Sequence, residues 1–242
     1  MNLRDSISII ASNFGKISIL KKLLRSPYDY YKNWPKKREF ANFKKYGFEA
    51  LVKFDECLTK HNIKYSLAFG TLLGAVREHD FIPHDDDLDF AMWIEDYKPD
   101  IIKYLKESGI NLKYRFSVDN DNLGKLDTFV YKGVFIDIFY FYHDEDGRAY
   151  CCDFKNQPDC RSRTESVKKH GGLRPRKLYM PLGEGTERIS FKDVNVMIPT
   201  NYKEILAFRY GEDYMTPKPG WRPNTKYVVE AEQWIGKYEV CR

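Results

Sequence analysis

Acidic residues crowd one short stretch of this 242-residue chain. Asp85, Asp86, Asp87 and Asp89 fall within five positions, with apolar Phe81 and Ile82 before them and Phe90 after. Like charges this close repel, and a carboxylate is costly to bury without a partner. In DLDFAMW, acidic and apolar residues alternate before the run turns wholly apolar; on a strand Asp87 and Asp89 would point to one side. A third acid, Asp137, stands in the apolar run FIDIF, where a charge has no structural reason to be. If the two strands are neighbours, three carboxylates converge and stay ionised together only with a cation among them. Mg²⁺ or Mn²⁺ suits that place, as hard ions that take carboxylate oxygens and leave positions for phosphate. Asp85 and Asp86, in a loop held by Pro83, fit either a solvated turn or the edge of such a site.

Upstream, FGTLLG supplies the complement. A strand ending at Gly70 with Thr71 opening a helix leaves free N–H groups and a hydroxyl for an anion, and Gly70 lets a phosphate approach closely. Arg77 lies within reach of the same phosphates, or is an ordinary surface arginine. Three further sets are open to more than one reading. Cys151, Cys152, Cys160 and His170 could close around zinc or be plain thiols and a surface imidazole. The run from Asp153 to Lys177, with 8 Lys/Arg against 3 Asp/Glu, reads as a long basic loop that either clamps phosphates or is solvated. Trp34, Trp93, Trp221 and Trp234 could wall a quaternary ammonium, or serve a core.

The elements that must position these residues follow from periodicity. Leu3, Ile7, Ile10, Phe14, Ile17, Leu20 and Leu24 recur three or four apart, predicting a basic amphipathic helix, and SPYDYYKNWP (residues 26–35) reads as a linker. A second helix is predicted from about Lys37 to His61, with Phe40, Phe43, Phe48, Leu51, Phe54 and Leu58 as its buried stripe. KYSLAF, DLDFAMW, NLKYRFSV, LDTFVYK and VFIDIFYFY read as strands, with a helix over about residues 97–108 between the second and third. PTNYKEILAFRYG reads as a helix with Thr200 as its N-cap and Gly211 as its stop. The order predicts an α+β fold: a mixed β-sheet flanked by helices, with residues 1–35 as a basic helical front and linker and 36–242 as the catalytic domain.

At this point the stretch FGTLLGAVREHDFIPHDDDLDFAMW resembles the hallmark of the LicD family, which includes phosphocholine transferases and relatives of fukutin-related protein, within the nucleotidyltransferase superfamily. Gly70, Thr71, Asp87, Asp89 and Asp137 occupy in order the places of that superfamily's glycine step, acidic pair and later acid. RYGEDYMTP (Arg209 to Pro217) also resembles the closing motif, and the likeness covers about residues 40–220. His84 departs from it, standing where the family usually carries Trp. The resemblance implies transfer of a phospho-alcohol from a CDP-linked donor (choline, ribitol or glycerol, or a CMP-linked phosphonate) to a sugar hydroxyl, with release of CMP. It implies a glycan or lipid-linked glycan acceptor, as in capsule or lipopolysaccharide, a metal on Asp87, Asp89 and Asp137, and Asp85 as an outer partner or ligand to a second ion. A glycosyltransferase using Asp-x-Asp is argued against by the Gly-Thr step and Asp137. A nucleotidyltransferase moving NMP, and a degenerate domain that only binds anionic surfaces, stand as further alternatives.

Bulk composition bounds these readings. Hydrophobic residues make up 43% and charged residues 31%, a globular balance, and five cysteines form no secreted-scaffold spacing. The expectation is a reducing, cytoplasmic compartment. Residues 1–45 hold 11 Lys/Arg against 3 Asp/Glu, which suits peripheral contact with an anionic membrane at its inner face; nucleic acid is not expected as a partner.

Overall fold

In the computed structural model, residues 18–218 and 226–241 are described, with side chains from residue 37 onward. The expected amphipathic run begins at Leu3, so its residues up to 17 lie outside the described part. Helix α1 spans Ser18–Lys60 without a break. The linker expected over residues 26–35 is therefore helical: a proline's fixed φ is itself a helical value, and Pro27 and Pro35 cost backbone hydrogen bonds without ending the helix. Further along α1, Phe43, Ala50, Leu51, Phe54, Cys57 and Leu58 are buried. Phe48 stacks on Phe191 at the edge of the core, and Phe40, expected inside, is 38% exposed.

After α1 come β1 (Ser66–Leu67), α2 (Phe69–Arg77), β2 (Asp87–Trp93), α3 (Ile101–Glu107), β3 (Asn111–Val118), β4 (Gly124–Tyr131) and β5 (Val134–His143). Then follow β6 (Ala149–Lys155), α4 (Arg163–His170), β7 (Arg174–Tyr179), β8 (Thr186–Phe191), β9 (Val194–Pro199), α5 (Tyr202–Tyr210), β10 (Val228–Glu230) and β11 (Lys237–Val240). The fold is α+β. One mixed sheet runs β10-β7-β6-β5-β4-β3-β11, and β2, with β1 on its far edge, pairs with β5; β8 and β9 form a separate hairpin. All named pairs are antiparallel except β2 with β5, which is parallel.

The central strands are apolar because both faces are covered, and Phe90, Ile136, Ile138 and Phe129 have no exposed surface. Phe54 of α1 stacks on Phe90 with centroids 3.9 Å apart, tying the long helix to the acidic strand. The segment from Asp153 to Lys177 is not one loop: it holds the end of β6, all of α4 and most of β7. Its cations sit on solvated faces, which obscures the helix in a reading by charge alone. Helix α5 starts one residue later than expected, with Asn201 rather than Thr200 at the N-cap and its side chain bonded to Gly183 N–H and the Pro181 carbonyl. Gly211 ends it at φ +96°, as the spacing predicts.

Candidate active site

The parallel pairing of β2 with β5 sets the geometry of the site. Its register matches Asp87 with Phe135 and Asp89 with Asp137. Residues two apart on a strand share a face, and directly paired residues share one too, so Asp87, Asp89 and Asp137 converge. Each offers an oxygen, and the three oxygens lie within 4.8 Å of one another.

Why the preceding turn is FGTLLG follows from what packs against it. Phe69 opens α2 at φ +43°. A Cβ on Gly70 would lie 2.9 Å from Asp85 Oδ1, and one on Gly74 would lie 2.6 Å from the Asp80 carbonyl. Glycine at both places lets the loop carrying Asp85 close over the helix. Thr71 Oγ1 accepts a hydrogen bond of 2.9 Å from Asp89 N–H, and the Gly70 N–H bonds the Asp89 carboxylate. Thr71 has no exposed surface, and its hydroxyl ties the acidic strand to α2. Arg77 Nε donates to Glu78 at 2.7 Å, and its guanidinium reaches the Tyr214 carbonyl at 3.4 Å in the RYGEDYMTP segment.

Burial drives the electrostatics. It pushes the Asp87 carboxyl up to about 8, with Asp137, Asp85 and Asp86 adding repulsion. Asp89 is raised well above the carboxylate range by burial and then by Asp87, Asp137 and Asp85, against the Gly70 N–H. Asp85, 9% exposed, is raised to about 7 by burial and then by Asp86, with Lys44 opposing. Asp137 rises to about 6 by burial, offset by a hydrogen bond from Thr128 and the charge of Arg163. Asp137 Oδ1 and Asp85 Oδ2 are buried without a hydrogen-bond partner. Carboxylate oxygens converging from two strands, with Asp137 Oδ1 left unpartnered among them, fit a hard divalent cation, and the oxygen-only donor set suits Mg²⁺ or Mn²⁺ over softer metals.

A cleft of about 310 Å³ opens on this cluster, lined by Glu39, Asp86, Asp87, Tyr114, Thr128, Phe135, Asp137 and Arg163. Thr128, Glu39 and Arg163 are absent from the sequence-derived site residues. Thr128 stands opposite Asp137 in the β4–β5 register, which no local signal reveals. Arg163 had a signal: Ser162 and Glu165 form the S-x-x-E pattern that starts a helix. Burial raises the phenol of Tyr210 in the closing motif, with the nearby charges of Asp89 and Asp85 adding to it, and Arg209 stacks over Phe69 at 4.6 Å with Nε buried and unpartnered.

The four residues of the zinc alternative do not come together as one group among the described residues. Cys151 and Cys152 are buried in β6, where burial raises both thiols, whereas Cys160 groups with His170 and Asp159 away from them. Trp93 stacks on His143 and Trp234 meets Lys177, so neither lines the acidic cleft; the side chains of Trp34 and Trp221 lie outside the described part.

The chain is similar to several known proteins. Human "Ribitol-5-phosphate transferase FKTN" is 29% identical over 188 residues, covering 76% of this chain and 36% of that protein. "Lipopolysaccharide cholinephosphotransferase LicD" of Haemophilus influenzae is 38% identical over 55 residues, 23% of this chain and 21% of that protein. A Caenorhabditis elegans protein, W02B3.4, is 32% identical over 201 residues, 77% of this chain and 47% of its own length. The chain thus spans about a third of the length of the human relative. The family described as LicD/FKTN/FKRP, nucleotidyltransferase domain, matches residues 62–201, a segment that carries Gly70, Thr71 and all four clustered acids. With more than half its length matched, this chain belongs to the LicD/FKTN/FKRP nucleotidyltransferase-domain family.

Proposed function

We propose that the protein transfers a phospho-alcohol from a CDP- or CMP-activated donor to a sugar hydroxyl of a cell-surface glycan, releasing CMP. The observation that carries the reading is the meeting of Asp87, Asp89 and Asp137 across a parallel strand pair, with carboxyls too close and too buried to ionise together unaided. These three residues would hold Mg²⁺ or Mn²⁺, and the ion when bound would offset charge on the donor's diphosphate. The names of the human and H. influenzae relatives, a ribitol-5-phosphate transferase and a cholinephosphotransferase, support a phospho-alcohol as the group moved.

In this reading Asp137 takes the proton of the acceptor hydroxyl as its oxygen bonds to the phosphorus bearing the alcohol. The bond from that phosphorus to the bridging oxygen breaks, and CMP leaves with the electron pair. Thr128 keeps Asp137 oriented through its hydrogen bond, and Thr71 and Gly70 hold Asp89 in place from the opposite side. Asp85, packed against Gly70, would support this cluster from outside or bind a second ion through its unpartnered Oδ2. The basic front of the chain would rest on an anionic membrane that presents a lipid-linked acceptor.

The test is a donor panel of CDP-choline, CDP-ribitol, CDP-glycerol and a CMP-phosphonate with Mg²⁺ or Mn²⁺, with and without glycan, scored by CMP release and alcohol-phosphate transfer. Acceptor-dependent CMP release with at least one donor is expected. Release of pyrophosphate from CTP with transfer of CMP would instead assign an NMP-transferring enzyme.

A further inference from the structure

The acidic cleft contains one cation among its lining residues, Arg163, for which the chemistry above has no task. We infer that Arg163 is the ligand for the donor's diphosphate: its guanidinium, stacked on aromatic rings at the mouth of the Asp87–Asp137 cleft, receives the anionic oxygens opposite the metal ligands. The inference rests on the CDP-linked donor proposed above.

The first support is how the side chain is held. The guanidinium carbon lies 4.9 Å from the Phe116 centroid, 5.5 Å from that of Tyr238 and 5.6 Å from that of Tyr114. A guanidinium laid on ring faces keeps its in-plane N–H groups free for a planar or bidentate acceptor. Among the described residues Arg163 donates no hydrogen bond and joins no ion pair, although its charge is near enough to lower the Asp137 carboxyl. A cation with free donors beside a cluster of acids is a place for an anion that carries its own counter-ion, as a metal-bound diphosphate does.

A second, independent support is the effort made to place this residue. Arg163 is the first residue of α4, where Ser162 Oγ accepts from Glu165 N–H at 3.1 Å and the Glu165 carboxylate accepts from Arg161 N–H at 2.7 Å. Buried Ser166 accepts from Gln157 N–H, and Asp159 accepts from Lys169 and His170, so the loop before the helix is pinned to its middle and its end. That cross-bracing gives the Asp159–Cys160–His170 cluster a structural task. The outcome is a fixed arginine on a short surface helix, which suits recognition more than packing.

Titration calorimetry of the full chain with Mn²⁺ alone, and with CDP in saturating Mn²⁺, tests this on wild type, Arg163→Met and Arg163→Lys. Arg163→Met is expected to weaken CDP by about tenfold to a hundredfold, as loss of a charge-assisted bidentate contact does, with Mn²⁺ affinity equal or tighter. Arg163→Lys, which keeps the charge and loses the fork, should fall between. Equal CDP affinity in wild type and both variants would overturn the inference. So would parallel loss of Mn²⁺ and CDP binding with a lowered Tm, which would make Arg163 a structural residue. A wild-type protein that binds Mn²⁺ and ignores CDP would refute the donor class itself, and the inference with it.

Discussion

Asp89 shows most clearly what the site demands of single residues. It is walled in by burial, flanked by Asp87 and Asp137, and eased only by the Gly70 N–H. An isosteric amide at any of the three metal-binding positions removes charge that only an ion needs. Asp87→Asn, Asp89→Asn and Asp137→Asn should each lower CMP release by about a thousandfold or more, while the Tm in metal-free buffer stays level or rises. Rates measured with each variant check the first expectation, and thermal melts check the second. The acids also fix a pH dependence. Asp85, Asp87 and Asp137 hold their protons up to about 7, 8 and 6, above the ordinary range of an unfolded chain. The folded state therefore binds more protons than the unfolded one, so stability is full in acid and is lost as pH rises through about 6 to 8. Melts of metal-free protein should show Tm falling across that window, and saturating Mn²⁺ should flatten the fall; a Tm that rises from pH 6 to 8 without metal would contradict the sign.

At the scale of elements, the key contact is between α2 and β2. Thr71 accepts the Asp89 N–H across 18 residues of sequence, at a hydroxyl with no exposed surface. Thr71→Val should leave that donor unsatisfied, costing about 1–3 kcal/mol in urea unfolding, and should reduce turnover; Thr71→Ser should restore both. This contact also marks where local sequence signals end. The alternation in DLDFAMW places Asp87 and Asp89 on one face, and the apolar setting of Asp137 marks it as out of place. Which strand lies beside β2, and that it runs parallel, is written only in long-range packing, as is the pairing of Thr128 with Asp137. The GxxxG spacing of Gly70 and Gly74 was visible, but its cause, a loop folded tightly over α2, is tertiary. In residues 153–177 the density of charge hides the S-x-x-E start of α4, and with it Arg163.

On the scale of the molecule, α1 joins the two parts that the sequence separates. From Phe43 to Leu58 one face of the helix is core, and the same helix extends back to Ser18 through the basic front. Among the described residues no helix is long and apolar enough to cross a membrane. A chain lacking residues 1–30 keeps every described core residue, so it should fold and release CMP with a soluble acceptor at wild-type rates. Its sedimentation with anionic liposomes should drop several-fold, and binding by the full chain should weaken as salt rises. Unchanged liposome binding after truncation would remove the membrane contact from the account.

The convergence of carboxylates from β2 and β5 on one divalent ion is tested most directly by titrating Mn²⁺ into the metal-free protein at pH 7.5 and repeating the titration with Asp137→Asn. Saturable binding with release of protons, weakened at least tenfold by that single change on the second strand, is the expected result. No saturable binding to the wild type, or equal affinity in both proteins, would contradict it.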